Sequence, residues 1–352
     1  MNAARSENLK IGQHQYIERD TGKICAERPI GDWIVNYLYS KKREEVPFVY
    51  QLLGSQWFSG FLGWVNYDFP FGQNISGIRR FLKNCSISLS ECLDSPDELD
   101  SARKIFERRI RYWQCRPMTE NTAAVVSPSD SRLLIGSFGD TSRLFLKGKF
   151  FEYDELVGAD KTVWLRAFDG GDFVICRLTP EKYHYNHTPV AGVVRDFYEN
   201  DGAYHSCNPG PLVSLATSYS KNKRVVAIID TDVNGGTRVG LVAMIEVVAL
   251  MVGDVVQCYS ESEYEDPRSI EIGMFLQRGF SKSLFRPGSS TTVLLFQKER
   301  VEFSQDLIRN LYRPDVESRY SVGLDRPVVE TDIKVRSTIG HRKRAKGGLD
   351  DF

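Results

Sequence analysis

Net charge is the first thing missing: 46 Lys and Arg balance 46 Asp and Glu among 352 residues. Nothing in that balance calls for a nucleic-acid partner, though a local basic patch can still meet an anionic surface. No CxxC pair occurs, and the seven cysteines (Cys25, Cys85, Cys92, Cys115, Cys176, Cys207 and Cys258) are odd in number and widely spaced. A disulfide framework and a zinc site both lack their spacing, so no metal is expected. Reduced, mostly buried thiols in a cytoplasmic setting fit better. Residues 1–20 are polar and lack the apolar core of a secretory signal. A clean membrane-spanning run is also missing. The nearest match, residues 239–256, is interrupted by Glu246 and closed by Gly253 and Asp254. Its β-branched content reads as two buried strands. Internal repeats are absent.

What is present divides the chain. Between residues 30 and 84, Trp33, Ile34, Tyr37, Leu38, Leu52, Leu53, Trp57, Phe58, Phe61 and Leu62 recur at three- and four-residue intervals. That is the period of amphipathic helices. Lys41, Lys42 and Arg43 separate two such stretches, and Arg79, Arg80 and Lys83 follow them. The pattern fits a helical subdomain packed on the core first, and is compatible with a helix pair resting on an anionic bilayer. Residues 86–113 also read as helical. From about residue 122 short apolar runs alternate with Gly, Asp, Asn and Pro turns: FVICRL, KRVVAIID and STTVLLF are examples. This predicts many short strands. The expected class is α+β. Its core is β-rich and mostly antiparallel, a sandwich or barrel over 121–304, with an N-terminal helical region over 1–120. Residues 305–352 read as a tail, poorly ordered from 330 onward.

Only five histidines exist, and two share one phrase, Tyr183-His184-Tyr185-Asn186-His187-Thr188-Pro189. The spacing is not a helical metal motif, but both suit acid–base work. Pro287-Gly288-Ser289-Ser290-Thr291-Thr292 and Ser127-Pro128-Ser129-Asp130 are each ordinary turns in isolation. An Asp, a His and a Ser far apart in sequence can form a nucleophile set, yet a long chain offers many such triples.

Taken in order, these phrases resemble the phosphatidylserine decarboxylase family. Residues 125–131, VVSPSDS, are similar to its PxDG segment. Arg177-Leu178-Thr179-Pro180, running into Tyr183-His184-x-x-His187-Thr188-Pro189-Val190-Ala191-Gly192, resembles its RLxPxDYHRxHxPxxG phrase. Residues 222–226, the strand around Glu246, and FRPGSSTTVLLF over 285–296 resemble further family segments in the same order. So do Lys147-Gly148 with its flanks, and residues 17–28.

The resemblance implies a zymogen that cleaves itself between Ser289 and Ser290. His187 corresponds to the processing base, Asp130 to the acid that supports it, and Ser290 to the precursor of a covalent pyruvoyl group. His184 corresponds to a second family histidine, a candidate for assisting decarboxylation or product protonation. The implied activity converts phosphatidylserine to phosphatidylethanolamine and carbon dioxide, with peripheral membrane association and a possible homodimer.

Departures from the pattern leave options open. Ser289 stands in place of the usual glycine, so the Gly288–Ser289 bond is an alternative cut. Tyr185 replaces an arginine, Val248 and Ser283 replace glycines, and Pro287 replaces a phenylalanine or leucine. A relative acting on a soluble amino acid, and a non-processing binding protein, remain alternatives. A serine hydrolase ranks last because no GxSxG elbow is present.

Overall fold

Runs bounded by turn residues become strands, and those apolar throughout become strands buried on both faces. The computed structural model describes residues 14–27, 87–139, 142, 144, 152–202, 222–248, 254–288, 290–324 and 326–343. Among them the strands are β1 Gln15–Glu18, β2 Ile24–Ala26, β3 Ala124–Val126, β4 Ser131–Ser137, β5 Asp172–Leu178, β6 Tyr185–His187, β7 Gly192–Asn200 and β8 Arg224–Asp230. They continue with β9 Leu241–Val248, β10 Val255–Ser260, β11 Phe275–Leu276, β12 Ser281–Phe285, β13 Ser290–Phe296, β14 Val301–Phe303, β15 Thr331–Ile333 and β16 Thr338–Arg342.

Ten strands make one sheet in the order β11-β7-β8-β9-β13-β5-β4-β15-β1-β2. Every pairing in it is antiparallel except β1 with β15. Two three-stranded sheets, β10-β12-β6 and β14-β16-β3, complete the β structure. The class is α+β with a mostly antiparallel core. The 239–256 segment supplies β9 and β10, and no helix among the described residues is long and apolar enough to cross a membrane. The cysteines among the described residues (Cys25, Cys92, Cys115, Cys176 and Cys258) are all free.

Two expectations change. The core does not end near 303. Helices Gln305–Leu311 and Arg319–Leu324 follow, then β15 and β16 enter two different sheets. Val328, Val329, Ile333, Val335 and Ile339 are buried there. These apolar positions are single or paired between polar residues, so they leave no run that reads as a strand. The N-terminal region is also not uniformly helical. Residues 14–27 form the β1–β2 hairpin, turning at Gly22 with φ +69°, and β1 joins the large sheet through β15. In the 86–113 stretch only short helices form, Ala102–Phe106 capped by the Ser101 side chain and Tyr112–Cys115. The aromatic and basic stretch of 30–84, and residues 344–352, lie outside the described residues.

The layer that matters for chemistry is the small sheet carrying β6 laid over the large one. Its tie is direct: Thr292 on β13 donates its hydroxyl proton to Asn186 Oδ1 on β6, at 2.8 Å. Beside it Glu246 on β9 meets Lys282 at 2.8 Å, both fully buried. Asn186, Gln257 and the Ser283 hydroxyl also donate to Glu246. Register shifts between Ser281 and Ser283 where β12 meets β6, so adjacent Lys282 and Ser283 both reach one carboxylate. The serine that stands where a family glycine was expected therefore has a hydrogen-bonding role.

Candidate active site

Ser290 is the first residue of β13, paired by Cα register with Leu178 on β5 and Val248 on β9. The turn before it contains Gly288 at φ +145°, a conformation that favours glycine. Ser290 Oγ is buried and has no hydrogen-bond partner, and neither has Thr291 Oγ1. Leaving a buried hydroxyl unpaired costs about 1–3 kcal/mol. Leu178, Val248 and Phe285 pack together in one apolar cluster around this strand end. Ser289 lies outside the described residues.

His187 closes β6 and is fully buried. Its Nδ1 lies 2.9 Å from the Gly279 carbonyl, which can only accept, so Nδ1 carries a proton. Gly279 has φ +81°, and a Cβ there would meet Met118 Sδ at 2.4 Å. That backbone conformation favours glycine, and a side chain there would also have to displace Met118. On the other side of the ring, Nε2 lies 3.0 Å from the Tyr183 hydroxyl. That oxygen is 2.6 Å from the Tyr264 hydroxyl, which donates to the Ile110 carbonyl at 2.8 Å. Tyr264 is held at φ +79°, costly for an aromatic residue.

Counting protons along this chain is informative. Four contacts run from the Gly279 carbonyl to the Ile110 carbonyl. A neutral imidazole and two phenols supply three protons. With both tyrosines donating toward Ile110, the contact without a proton falls at His187 Nε2, which keeps its lone pair. Protonated His187 fills all four contacts. Burial nonetheless pushes the imidazole down to about 3, against a smaller opposing effect of the Gly279 carbonyl. The group is therefore a neutral base whose protonated form has partners ready.

His184 is equally buried but differs in every other respect. Neither ring nitrogen has a hydrogen-bond partner of good geometry. Its ring stacks on Phe106 at 3.4 Å between centroids. Burial, then the charge of Arg108, drives its pKa well below the ordinary histidine value, and the nearby Lys182 backbone offsets only part of that. The His184 carbonyl accepts from Phe285 N–H at 3.1 Å. This links it to the apolar cluster that flanks Ser290.

Asp130 precedes β4, and both carboxylate oxygens accept from Arg116, at 3.0 and 2.8 Å. Val335 N–H donates to the same carboxylate at 2.8 Å. Burial alone would raise this carboxyl; the Arg116 guanidinium and these hydrogen bonds outweigh it and hold it below the usual carboxylate range. The segment carrying Asp130 runs beside β6, since His187 N–H donates to the Pro128 carbonyl at 2.7 Å. Asp130 and His187 are not hydrogen-bonded to each other. The structure thus groups Ser290 with the His184 side of β6 through shared packing, and gives Asp130 and His187 other immediate partners. Arg116, Tyr183, Tyr264 and Gly279 were not singled out from sequence. Tyr183 stands in the His184–His187 phrase without a role that spacing assigns, Tyr264 and Gly279 lie in turns far from His187 in the chain, and Arg116 closes a short helix 14 residues before Asp130.

Two other features lie apart from this site. His14, Glu27 and Glu330 come close enough to hold a cation. The Arg177 guanidinium already donates to both carboxylates, so the cluster is an ion-pair network tying the N-terminal hairpin to β5. A cavity of about 950 Å³ near the β14–β16 sheet is lined by Asp172, Lys298, His341 and Arg342 among others, and contains none of the residues above.

A family model described as phosphatidylserine decarboxylase matches residues 102–315. A protein of Fusobacterium nucleatum named phosphatidylserine decarboxylase proenzyme is 28% identical over 311 residues, covering 88% of this chain and 95% of that one. A proenzyme of the same name from Clostridium tetani is 26% identical over 301 residues, 84% of this chain and 91% of its own. Phosphatidylserine decarboxylase proenzyme 2 of Oryza sativa subsp. japonica is 31% identical over 242 residues, 68% of this chain and 36% of that longer protein.

Proposed function

The chain belongs to the phosphatidylserine decarboxylase family, and from that premise we propose that it is a proenzyme that cuts itself before Ser290 and then decarboxylates phosphatidylserine. The observation that carries the processing step is the unpartnered, buried hydroxyl of Ser290 at the start of a central strand. On this reading His187 Nε2 takes the Ser290 proton. The freed oxygen attacks the Ser289 carbonyl and converts the peptide bond to an ester. Asp130 favours the imidazolium that results. Elimination releases residues 1–289 with a carboxylate and leaves dehydroalanine at 290. Water then yields a pyruvoyl terminus and ammonia. Nε2 meets Tyr183 in the precursor, on the face away from His184, so proton transfer needs that contact to open and the ring to turn toward Ser290. With both tyrosines donating toward Ile110, it is the contact left without a proton.

Residues at the β13 start suit a pyruvoyl group. The hydroxyl lost on forming it is an orphan, and apolar Leu178, Val248 and Phe285 pack together beside it. When formed, that group supplies a carbonyl able to condense with a substrate amine and accept the electron pair left by carbon dioxide. His184, neutral and unpaired, is positioned to hold a proton for the product carbon. After cleavage, β13 stays paired along seven residues with β5 on one side and β9 on the other, so the two chains remain one protein. The aromatic, basic-flanked stretch between 30 and 84 is the segment proposed to meet an anionic bilayer from the cytoplasm.

Intact mass of wild type beside Ser290→Ala tests the proposal. Two chains in the wild type are expected, the smaller one lighter than residues 290–352 by the serine-to-pyruvoyl change, with a single chain in the variant. A wild type that stays whole after long incubation would end the pyruvoyl reading. Phosphatidylserine vesicles and free serine, offered to the same preparation, separate a lipid from a soluble substrate.

A further inference from the structure

Asp130 is held by a cation that no motif marks. Arg116 makes a two-pronged contact with it, and the same guanidinium reaches Glu91 Oε2 at 2.9 Å and the Cys115 carbonyl at 3.0 Å. Both Arg116 and Asp130 are buried. We propose that Arg116 is a positioning residue of the processing reaction: it fixes Asp130 in its charged form, and Glu91 fixes Arg116 in turn. The inference rests on the reading of Asp130 as the acid that supports His187.

The physical reason is the cost of an unpaired buried carboxylate. Without Arg116, Asp130 keeps only the Val335 N–H as a close partner. The other ionisable groups that sense its charge are Lys182, His184, His187 and Cys115. Lys182 is already bound to Asp332, at 2.7 and 2.6 Å. Burial then dominates and raises the Asp130 carboxyl, so its neutral form gains at the lower end of the pH range. A neutral Asp130 no longer favours the His187 imidazolium. At higher pH the carboxylate returns, and with the competing Arg116 charge gone its effect on His187 is undiminished.

The experiment follows self-cleavage of wild type, Arg116→Gln and Arg116→Lys by intact mass between pH 5.5 and 9. Arg116→Gln is expected to cleave roughly tenfold slower or more at pH 6, from below the range for loss of the acid–base group itself up into it. It should recover to the wild-type rate or above by pH 9, and Arg116→Lys should fall between the two. A folded Arg116→Gln with a wild-type rate throughout, or slowed by one factor at every pH, overturns the proposal. Should that variant fail to fold, the carboxyl 13C shift of Asp130 in uncut Ser290→Ala decides. A carboxylate still charged at pH 5 supports the assignment, and one titrating between pH 5 and 7 overturns it. A wild type that never cleaves removes the processing reading instead, while the carboxyl shift still reports the hold of Arg116.

Discussion

His184 and His187 are three residues apart, both fully buried, and both depressed in pKa chiefly by that burial. One has a partner at each ring nitrogen and the other has none. Strand alternation accounts for the split. Tyr183, Tyr185 and His187 share one face of the chain and enter an aromatic group with Tyr112 and Tyr264. His184 shares the other face with Asn186, which reaches β13 through Thr292. The partnered histidine has its Nδ1 proton set in advance by the Gly279 carbonyl and a phenol at Nε2. The unpartnered one is left with hydrogen-bonding capacity for something the chain does not supply.

The largest expected effect breaks the pair apart by function. His187→Gln should slow self-cleavage by about 10² to 10⁴, the usual contribution of a positioned acid–base group. His184→Gln should still yield two chains but release carbon dioxide at least about a hundredfold more slowly. Mass spectrometry reads the first and trapped carbon dioxide the second. If His184→Gln blocks cleavage while His187→Gln permits it, the roles are exchanged.

How far this contrast was legible in sequence depends on how local its causes are. The phrase from Tyr183 to Pro189 and the run from Ser290 to Phe296 stand out because turn residues bound them and apolar residues fill them. The two histidines could be named from the phrase, but their opposite surroundings could not. Those come from Gly279, Tyr264 and Ile110, which are 92, 77 and 77 positions from His187 in the chain. Tyr264 sits in a turn at positive φ, where side-chain period carries no information. Arg116 is only 14 residues from Asp130, yet it closes a short helix whose sequence reads as an ordinary basic surface. The buried positions of 328–339 are too sparse to separate from a solvated tail. Three-residue β15 is recognisable only from its neighbours β4 and β1.

A smaller effect sharpens the contrast through pH. Both histidines titrate lower in the fold than in the unfolded chain, where the value is about 6.5. The unfolded chain therefore binds more protons below that pH, so their stabilising contribution is full above about 6.5 and declines as pH falls. For His187 the decline continues to about 3. Each group can contribute a slope of at most about 1.4 kcal/mol per pH unit. Denaturant unfolding of Ser290→Ala with and without His184→Gln, between pH 6.5 and 4.5, should show the slope reduced by up to that amount. Carboxylates common to both chains cancel in the difference. Equal slopes would mean that His184 finds a partner for its proton in the fold, and the contrast with His187 would be lost.

The smallest effect concerns the partnered side alone. Tyr183→Phe keeps the ring stacked on Tyr185 and removes only the hydroxyl between His187 and Tyr264. Neutral His187 loses little, because its Nε2 lone pair has no proton facing it in the arrangement that serves Ile110. Protonated His187 loses the acceptor for its Nε2 proton. The variant should therefore fold with a stability within about 1 kcal/mol of wild type, a typical net hydrogen-bond contribution. Its self-cleavage should slow about tenfold, at or below the low end of acid–base effects. Tyr264→Phe leaves the Tyr183 oxygen in place as an acceptor and should slow cleavage less. Adding it to Tyr183→Phe should cost little more, since the chain is already cut at its first link. Multiplying rate losses in the double variant would show that the two phenols act separately, and that the row of contacts from Gly279 to Ile110 is packing without a shared proton.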